Sequence, residues 1–555
     1  MNQLEKYLDQ SGQQSSSQAA WNIPEYFNIA KECVQQHAKG EHAKNIAFIV
    51  EDDQKGTTQL SYSDLDQLSG KFVNVLNKLD IIVGERVLIR LPNAVDYPIS
   101  FFGCLKHGAV AVPTSTLLAA SEVVYLAKDS GAKILVTAKS MWNELQSILE
   151  EETELKAVLL AGDGEMPTTS SADNSHSSIK LLDLEQLMSD AQVSEEIVTS
   201  KANDPAYLVY TSGTTGFPKG VLHAHRSLIG RLPASQYWFD FKPGDRIMHS
   251  GKFNWTYVLG SALMDPLFHG YTVIVHEGKN DATTWPKLIK KHQCSIFIGV
   301  PTIYRQIIQK TEFTGKDVPS LRHCMSAGEH LSDEMLSAWR ERFGQDVFEA
   351  IGMSEFSYYI SQRIDRPIKP GAAGFPQPGH AIKLLTGDGT PAVTNEEGMI
   401  AIPETDPGLF LNYWQLPEET TKAIHDGYFF TGDYARTDEQ GYIWFLGRKD
   451  DIINTFGYRV SPHEIERVLK THPDIADCVA LGEELGTDKI LVSACVILHE
   501  GSQLTEQQLL DFGNQKLAKY KAPKLIHFYQ DFPRTKNGKV LRKQMLKELQ
   551  LERNK

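Results

Sequence analysis

The sequence predicts an α/β protein with a large N-terminal domain of α/β layers and a small α+β domain at its C-terminus. Short apolar runs alternate with helical patterns through most of the chain, which is typical of largely parallel sheets covered by helices. The chain has 555 residues, more than one hydrophobic core usually supports. A change of pattern near residue 447 marks the start of the second domain.

Strand–helix–strand units follow one another in the first part of the chain. The apolar runs at 45–50 and 86–91 are predicted strands, and the spacing between them predicts a helix with Ser63 as its N-cap. A strand at 206–210 leads into a glycine-rich loop. The same strand and helix patterns recur at 109–113, 121–131, 133–138, 295–301 and 321–329.

The remaining segments complete the predicted architecture. The Gly- and turn-rich segment 379–404 predicts a β-rich subdomain of the large domain. Ser-Pro-His-Glu at 461–464 has the pattern of a capping box that begins with proline, and so predicts a helix start. Apolar runs at 478–482 and 491–498 predict strands of the small α+β domain.

The predicted domain limits follow from these patterns. Residues 1–20 are rich in Gln and Ser and are expected to form a loose N-terminal tail. The large domain is expected over 21–447 and the small domain over 451–555, with a short connection at 448–450.

Composition argues against several classes of function. The contents of 41% hydrophobic and 23% charged residues are ordinary for a globular protein, and the formal net charge is −14. An acidic chain is not suited to general binding of nucleic acid or anionic membranes. The six scattered cysteines, the lack of an apolar run long enough for a membrane span and the lack of a secretory signal predict a cytoplasmic protein.

The stretch YTSGTTGFPKG at 210–220 is suited to binding phosphate. Its glycines allow a ligand to approach the backbone, its hydroxyls donate hydrogen bonds and its lysine supplies a countercharge or holds the loop closed. It is not a Walker A motif, and a decorated hairpin turn is the alternative interpretation. The candidate phosphate-binding residues are Thr211, Ser212, Gly213, Thr214, Thr215 and Lys219.

This stretch resembles the phosphate-loop signature of the adenylate-forming superfamily, which includes acyl-CoA synthetases, nonribosomal peptide adenylation domains and luciferases. The resemblance covers about residues 25 to 545. It implies that a carboxylate and Mg·ATP form acyl-AMP and pyrophosphate, and that coenzyme A then takes the acyl group and releases AMP. The other family motifs follow in order: SAGEHL (326–331), EAIGMSE (349–355), YFFTGD (428–433), FLGRKDD (445–451) and FPRTKNGKVLRK (532–543).

The resemblance implies roles for residues around the nucleotide. Glu355 is a hard oxygen ligand suited to Mg²⁺ that bridges ATP phosphates. Ile351 stands where the family usually has Tyr or Phe, so apolar packing replaces aromatic stacking near adenine. Ser354 replaces the usual Thr and keeps its hydroxyl. The further nucleotide-binding candidates in these two motifs are Ala327, Gly328, Glu329, Ala350, Gly352 and Met353.

The resemblance also implies a ribose site and a hinge. The two oxygens of Asp433 suit the vicinal hydroxyls of ribose, and Arg448 is the second ribose or phosphate contact. Asp450 matches the hinge within 448–450, about which the small domain rotates as a mobile lid.

Lys539 matches the family's mobile catalytic lysine, and Thr211 and Glu355 complete the catalytic candidates. An ammonium group inserted beside the reacting carboxylate and α-phosphate offsets negative charge in the transition state. At about 4 Å and an effective dielectric of about 20, one such contact is of order 4 kcal/mol, or roughly a thousandfold in rate.

The chain most resembles the benzoate-CoA ligase and medium-chain acyl-CoA synthetase branch. Trp255 and Tyr257 fall where that branch lines its acyl pocket, together with Gly328 and Gly352, although core packing is the alternative for the two aromatic residues. The expected substrate is a small aromatic, alicyclic or short-to-medium-chain carboxylic acid. Gly457 and Tyr458 resemble the residues that line the pantetheine tunnel for coenzyme A.

Two other functions are compatible with the motifs. One is an adenylating enzyme that loads the phosphopantetheine of a carrier protein, and the other is an inactive ATP-binding relative. Beyond ATP, coenzyme A and the acid, the resemblance suggests two protein partners: a second copy in a homodimer, and a protein acetyltransferase that modifies Lys539.

Overall fold

A computed structural model shows two large sheets, an antiparallel subdomain and a small C-terminal unit. The residues that the structure describes are 3–9, 20–167, 179–211, 218–328, 331–449, 451–455, 458–484, 490–534 and 540–553.

The first large sheet is mostly parallel. Six of its strands, from Pro205–Thr211 to Lys180–Asp183, form a continuous parallel run, and two antiparallel strands extend one edge. This arrangement confirms the parallel sheet predicted from the apolar runs. In order across the sheet, the strands in the described ranges are Asn412–Tyr413, Lys219–Ala224, Pro205–Thr211, Val110–Pro113, Arg86–Arg90, Ile134–Ala138, Ala157–Ala161 and Lys180–Asp183.

The second large sheet has a parallel centre and antiparallel edges. Six strands from Val347–Met353 to Ile46–Asp52 are parallel, and hairpin partners flank them on both sides. In order, the described strands are Phe375–Pro376, Ser357–Ser361, Val347–Met353, His323–Ala327, Ile296–Gly299, Arg246–His249, Thr272–Glu277, Ile46–Asp52 and Gly56–Ser61.

The main hydrophobic core lies between the two large sheets. Phe72 and Phe102, on two helices that pack together, belong to one hydrophobic cluster with Ile89 of the first sheet and Phe48 of the second. All four side chains are fully buried. No helix within the described ranges is both long and apolar enough to span a bilayer.

Helices of several types connect the strands of the large domain. The α-helices are Tyr62–Lys78, Asp96–His107, Ala120–Ser130, Leu184–Asp190, Ser227–Tyr237, Thr256–Val258, Asp265–Phe268, Thr284–His292, Pro301–Lys310, Asp333–Phe343 and Pro417–Ala423. The π-helices are Lys31–Gln35 and Leu259–Met264, and the 3₁₀ helices are Gln3–Lys6, Gly40–His42, Lys139–Glu144 and Gln146–Glu150.

The helix predicted after the first strand begins earlier than expected. Its N-cap is Ser61, whose side chain accepts from the Asp64 amide at 3.1 Å while the Asp64 carboxylate accepts from the Ser61 amide at 3.0 Å. The assignment of Ser63 was wrong. Each of the two serines precedes an aspartate by three residues, but Asp66 pairs with Lys106 at 2.5 Å.

An antiparallel sheet forms the β-rich subdomain. The predicted segment 379–404 supplies its first two strands, and the others come from the chain that follows. Within the described ranges the strands are Lys383–Leu385, Glu397–Pro403, Tyr428–Thr437, Ile424–His425 and Ile443–Arg448.

The C-terminal unit has its own hydrophobic clusters. A ribbon and a three-stranded sheet carry three helices, and the two strands predicted here are both present. The strands are Ile453–Thr455, Tyr458–Val460, Ile475–Glu484, Ile490–Leu498 and Leu525–Phe528, and the helices are Pro462–Leu469, Glu506–Lys516 and Arg542–Arg553.

The capping box predicted at 461–464 forms in part. Ser461 accepts from the Glu464 amide at 3.3 Å, as expected for an N-cap. The Glu464 carboxylate binds Lys521 at 2.7 Å. The helix start is therefore confirmed, while the acidic side chain connects the helix to another segment.

The N-terminal tail is packed where it is described. Leu4, Tyr7 and Leu8 are each at most 3% exposed, and Leu8–Asp9 pairs with Ala20–Trp21. The expectation of a loose tail was wrong for residues 3–9, because the polar composition conceals three apolar residues at i, i+3 and i+4. Residues 1–2 and 10–19 lie outside the described part.

A buried carboxylate holds the C-terminal unit together. Glu466 accepts from the Ala480 amide at 2.9 Å and pairs with Arg542 at 2.7 Å and with His463 at 3.2 Å. Burial alone would raise the pKa of the Glu466 carboxyl, but Arg542 and His463 outweigh it and hold the pKa well below its ordinary value. The last helix is thereby attached to the strand Ile475–Glu484.

Replacing this carboxylate should destabilise the C-terminal unit. We expect Glu466→Gln to lower its free energy of unfolding by about 3 kcal/mol, because Arg542 remains buried without its countercharge. The folded pKa is lowered, so the contribution is complete above about pH 5 and is lost as pH falls through the folded pKa. Urea unfolding followed by circular dichroism should show a smaller deficit at pH 3.5 than at pH 7.

Glu464→Gln is the matched control. It breaks the more exposed pair with Lys521 and should cost less than about 1 kcal/mol. Equal effects of the two substitutions, or a deficit that does not change with pH, would contradict this account of Glu466.

Candidate active site

The candidate site lies where the two large sheets and the β-rich subdomain meet. Nε2 of His223, on the first sheet, donates to the Ser354 carbonyl beside the second sheet at 2.7 Å. The Tyr359 hydroxyl of the second sheet lies 3.4 Å from Oδ2 of Asp433 in the subdomain. Motifs that are far apart in sequence are thus brought to one edge.

Residues 353–357, which we name the Glu355 turn, connect two strands of the second sheet. The Gly352 position opposes Tyr358 across a bulge, and a Cβ there would lie 2.6 Å from the Ser357 carbonyl oxygen. Ser357 has φ +65°, in the left-handed region. The turn therefore requires glycine at 352, and it leaves Glu355 half-buried at the edge of the sheet.

Tyr413 orients the Glu355 carboxylate, with its hydroxyl donating to Oε1 at 2.8 Å. Burial, reinforced by the neighbouring carboxylate, raises the pKa of Tyr413, so the hydroxyl remains a donor at neutral pH. The Phe410 amide also donates to the Glu355 carbonyl at 2.9 Å. Tyr413 was not among the residues predicted from the sequence, because a single tyrosine carries no local pattern.

The ends of the phosphate loop form an antiparallel hairpin. Thr211 and Lys219 are register partners, and both are half-buried. Nζ of Lys219 pairs with Glu419 at 2.7 Å and lies 5.5 Å from the centre of the Tyr413 ring. Lys219 thereby connects the second strand of the hairpin to the helix Pro417–Ala423.

The neighbouring candidates lie on adjacent strands of the second sheet. Ala327 and Ala350 are register partners and are buried, while Ile351 pairs with Ile360. Ile351 and Met353 are half-buried, as is Ser354, whose hydroxyl is 3.4 Å from that of Thr256.

Trp255 lies over Gly328 at the same edge. A Cβ at Gly328 would be 3.5 Å from the indole, and Gly328 has φ +100°. The rings of Trp255 and Tyr257 meet edge to face with centroids 5.3 Å apart. Burial raises the pKa of Tyr257, whose hydroxyl has no hydrogen-bond partner within the described ranges.

Asp433 and Arg448 face each other across the subdomain hairpin. They are register partners, with Nε and Oδ1 3.4 Å apart. Asp433 is buried, whereas half of the Arg448 side chain is exposed. The two residues predicted for the ribose site are therefore adjacent, and the guanidinium is open to solvent.

His223 is a further residue that the sequence analysis missed. Burial lowers its pKa to about 3, so the imidazole is neutral and its Nε2–H donates to Ser354. Tyr207 stacks on the ring at 4.7 Å. The only sequence signal was a histidine in an apolar strand directly after the phosphate loop.

Several predicted residues lie outside the described part of the chain. For Tyr458 the structure describes the strand but not the side chain. The residues wholly outside are Ser212, Gly213, Thr214, Thr215, Glu329, Asp450, Gly457 and Lys539.

The two ends of the segment that contains Lys539 are described. Arg534 forms an isolated bridge with Val540, and Nη2 of Arg534 pairs with Asp477 at 2.7 Å. Arg534 and Val540, the described residues on either side of 535–539, therefore lie close to the strand Ile475–Glu484.

Comparisons with known proteins agree with this geometry. A family model described as AMP-binding enzyme matches residues 34–414, and one described as AMP-binding enzyme C-terminal domain matches residues 464–539. The mitochondrial acyl-coenzyme A synthetase ACSM3 of Rattus norvegicus is 30% identical over 538 residues, which cover 94% of this chain and 90% of that protein.

Solved structures show the same likeness. The anthranilate CoA ligase AuaEII in complex with anthranoyl-AMP has a TM-score of 0.84 and 28% identity, and the match covers 96% of this chain and 99% of that one. The benzoate CoA ligase from Burkholderia xenovorans LB400 has a TM-score of 0.81 and 26% identity, covering 94% and 99%. The match over both domains confirms the predicted resemblance, and the chain belongs to the AMP-binding enzyme family.

Proposed function

We propose that this protein is an ATP-dependent carboxylate–CoA ligase. The observation that carries the proposal is the meeting of the phosphate-loop hairpin, the Glu355 turn and the Asp433–Arg448 pair at one edge. The acyl-CoA synthetase and CoA ligase names of its relatives support the same chemistry.

The nucleotide is proposed to bind with its ribose at the subdomain hairpin. The two carboxylate oxygens of Asp433 can accept from both ribose hydroxyls, and Arg448 next to it can donate to the ribose or a phosphate. Thr211 and the loop after it approach the phosphates. Ile351 and Gly328 contact adenine, where apolar packing takes the place of a stacked ring.

Glu355 is the proposed protein ligand of Mg²⁺. Mg²⁺ is commonly held by one or two carboxylates together with substrate phosphates. In the described residues no group of three or more His, Cys, Asp or Glu side chains is arranged to hold a metal ion, and a single carboxylate oriented by Tyr413 fits this mode. The bound ion would offset the phosphate charge.

In the first reaction, a carboxylate oxygen of the acid attacks the α-phosphorus of ATP. The bond to the bridging oxygen breaks, and pyrophosphate leaves. We propose that Lys539 stabilises the charge at this step. In the second reaction the sulfur of coenzyme A, after losing its proton, attacks the acyl carbonyl, and AMP leaves with the mixed-anhydride oxygen.

The small domain is proposed to rotate about Asp450 between the two reactions. Rotation withdraws Lys539 and presents Gly457 and Tyr458, which would line the path of the pantetheine arm. Both segments belong to the C-terminal unit, so one movement changes both contacts.

The acid is proposed to be small aromatic, alicyclic or short to medium in chain length. Trp255 lies across Gly328, and Tyr257 packs against Trp255. Two large rings at this edge would close a pocket at short range, which favours a compact acyl group over a long alkyl chain.

The first prediction from the proposed function concerns the substrate. We expect one class of acid to cause AMP release that also requires coenzyme A. The acids to be tested are acetate, medium-chain fatty acids, cyclohexanecarboxylate, benzoate and phenyl-substituted acids. Pyrophosphate exchange that does not respond to coenzyme A would indicate a carrier-protein loader. Binding of ATP without turnover of any acid would indicate an inactive relative.

A second prediction concerns Glu355 and its orientation. We expect Glu355→Gln to reduce acid-dependent pyrophosphate exchange by about a hundred- to a thousandfold, in line with the loss of charge stabilisation at one position. Tyr413→Phe, which leaves the carboxylate but removes its donor, should cost roughly tenfold and raise the Mg²⁺ concentration needed for half-maximal exchange. Tyr442→Phe, whose hydroxyl donates to the Pro367 carbonyl, is the control and should leave exchange unchanged.

A third prediction separates the two reactions. Lys539→Ala should reduce pyrophosphate exchange by about a thousandfold, yet leave transfer to coenzyme A from preformed acyl-AMP within a few fold. Acetylation of Lys539 by the proposed acetyltransferase should act in the same way, because it removes the charge. Equal loss of both reactions would contradict the proposed role.

A further inference from the structure

A buried ion pair lies behind the Glu355 turn. Arg231, on the helix that follows the phosphate-loop hairpin, binds Asp265 through two hydrogen bonds, Nε to Oδ1 and Nη2 to Oδ2, each 2.8 Å long. Arg231 is 5% exposed and Asp265 1%. The paired contact fixes the plane of the guanidinium.

The same guanidinium contacts the strand that leaves the turn. Nη1 of Arg231 donates to the Ser357 hydroxyl, and Nη2 donates to the Tyr358 hydroxyl. The guanidinium also lies 4.5 Å from the centre of the Tyr358 ring. Ser357 is the last residue of the turn and has φ +65°, a backbone conformation that side-chain-bearing residues rarely adopt.

The surrounding structure is shaped to accommodate this group. A Cβ on Gly260 would overlap Nη2 of Arg231, so the π-helix Leu259–Met264 leaves room for the guanidinium only with glycine there. A buried ion pair is by itself weak support for stability, because removing both charges from water is costly. A role in fixing geometry accounts for the arrangement.

We propose that Arg231 is a positioning residue for Glu355, acting through Ser357 and Tyr358, and that Asp265 holds Arg231 in place. This proposal rests on the proposed function of Glu355 in the adenylation reaction. The same turn is also held by His223, which donates to the Ser354 carbonyl, and by the Phe410 amide, which donates to the Glu355 carbonyl. These contacts hold the backbone before and after the Glu355 side chain, which limits the directions that its carboxylate can take.

Arg231→Lys is the test substitution, because it keeps a positive charge for Asp265. A single ammonium cannot reproduce the planar contacts to Asp265, Ser357 and Tyr358 at once. Acid-dependent pyrophosphate exchange should fall ten- to a hundredfold, with a raised Mg²⁺ requirement. Transfer to coenzyme A from preformed acyl-AMP should stay within threefold of the unsubstituted protein.

A second readout does not depend on activity. Amide hydrogen exchange over residues 351–361, measured without ATP or metal, should be at least tenfold faster in Arg231→Lys. Arg322→Lys is the matched control. Its guanidinium pairs with Asp240 at 2.8 Å and with Asp245 at 2.5 Å; neither contact involves the turn, so both readouts should be unchanged.

A double substitution tests the route of the effect. If Arg231 acts through Ser357, adding Ser357→Gly to Arg231→Lys should reduce pyrophosphate exchange by less than the product of the separate effects. Unchanged exchange in Arg231→Lys, equal loss of both reactions, or unchanged amide exchange would overturn the proposal. Failure of the unsubstituted protein to exchange pyrophosphate with any acid would instead count against the proposed function.

Discussion

The candidate site depends on the Glu355 turn, which is hydrogen-bonded to the elements around it. The turn is held by His223 of the first sheet, by Arg231 of the helix that follows it, and by the amide of Phe410, which lies in sequence between the subdomain strands Glu397–Pro403 and Ile424–His425. His223 and Arg231 belong to one strand–helix unit, whereas Phe410 comes from a distant part of the chain. The direction of the Glu355 carboxylate is therefore set by how the sheets and the subdomain pack together.

Buried and half-buried polar side chains fix the position of this turn. A buried donor or acceptor without a partner costs free energy, so His223, Arg231 and Tyr413 favour the one arrangement in which their hydrogen bonds form. Apolar packing alone would tolerate small displacements of the turn. A fixed carboxylate needs little rearrangement when charge develops next to it, which is the condition for electrostatic catalysis.

Patterns in the sequence predicted the parts of the fold that have a local cause. Buried parallel strands appear as apolar runs. The motifs identified Asp433 and Arg448 separately, and the structure makes them register partners. Local patterns failed where a residue distant in sequence determines the contact. Asp66, three residues after the predicted N-cap Ser63, pairs instead with Lys106. Tyr413 donates to Glu355, 58 positions away, and Arg231 donates to Ser357, 126 positions away. No local pattern encodes such contacts.

The described residues on either side of Lys539 and the ribbon near Gly457 belong to one unit. Arg534, just before 535–539, pairs with Asp477 and forms a β-bridge with Val540, just after it. Thr455 of the ribbon donates to the Ile490 carbonyl at 2.6 Å. The residues that flank 535–539 and the ribbon are therefore attached to the same small sheet. On the proposed function, the C-terminal unit can present either Lys539 or Gly457 and Tyr458 to the site, but not both at once. Pyrophosphate therefore leaves before the thiol of coenzyme A enters.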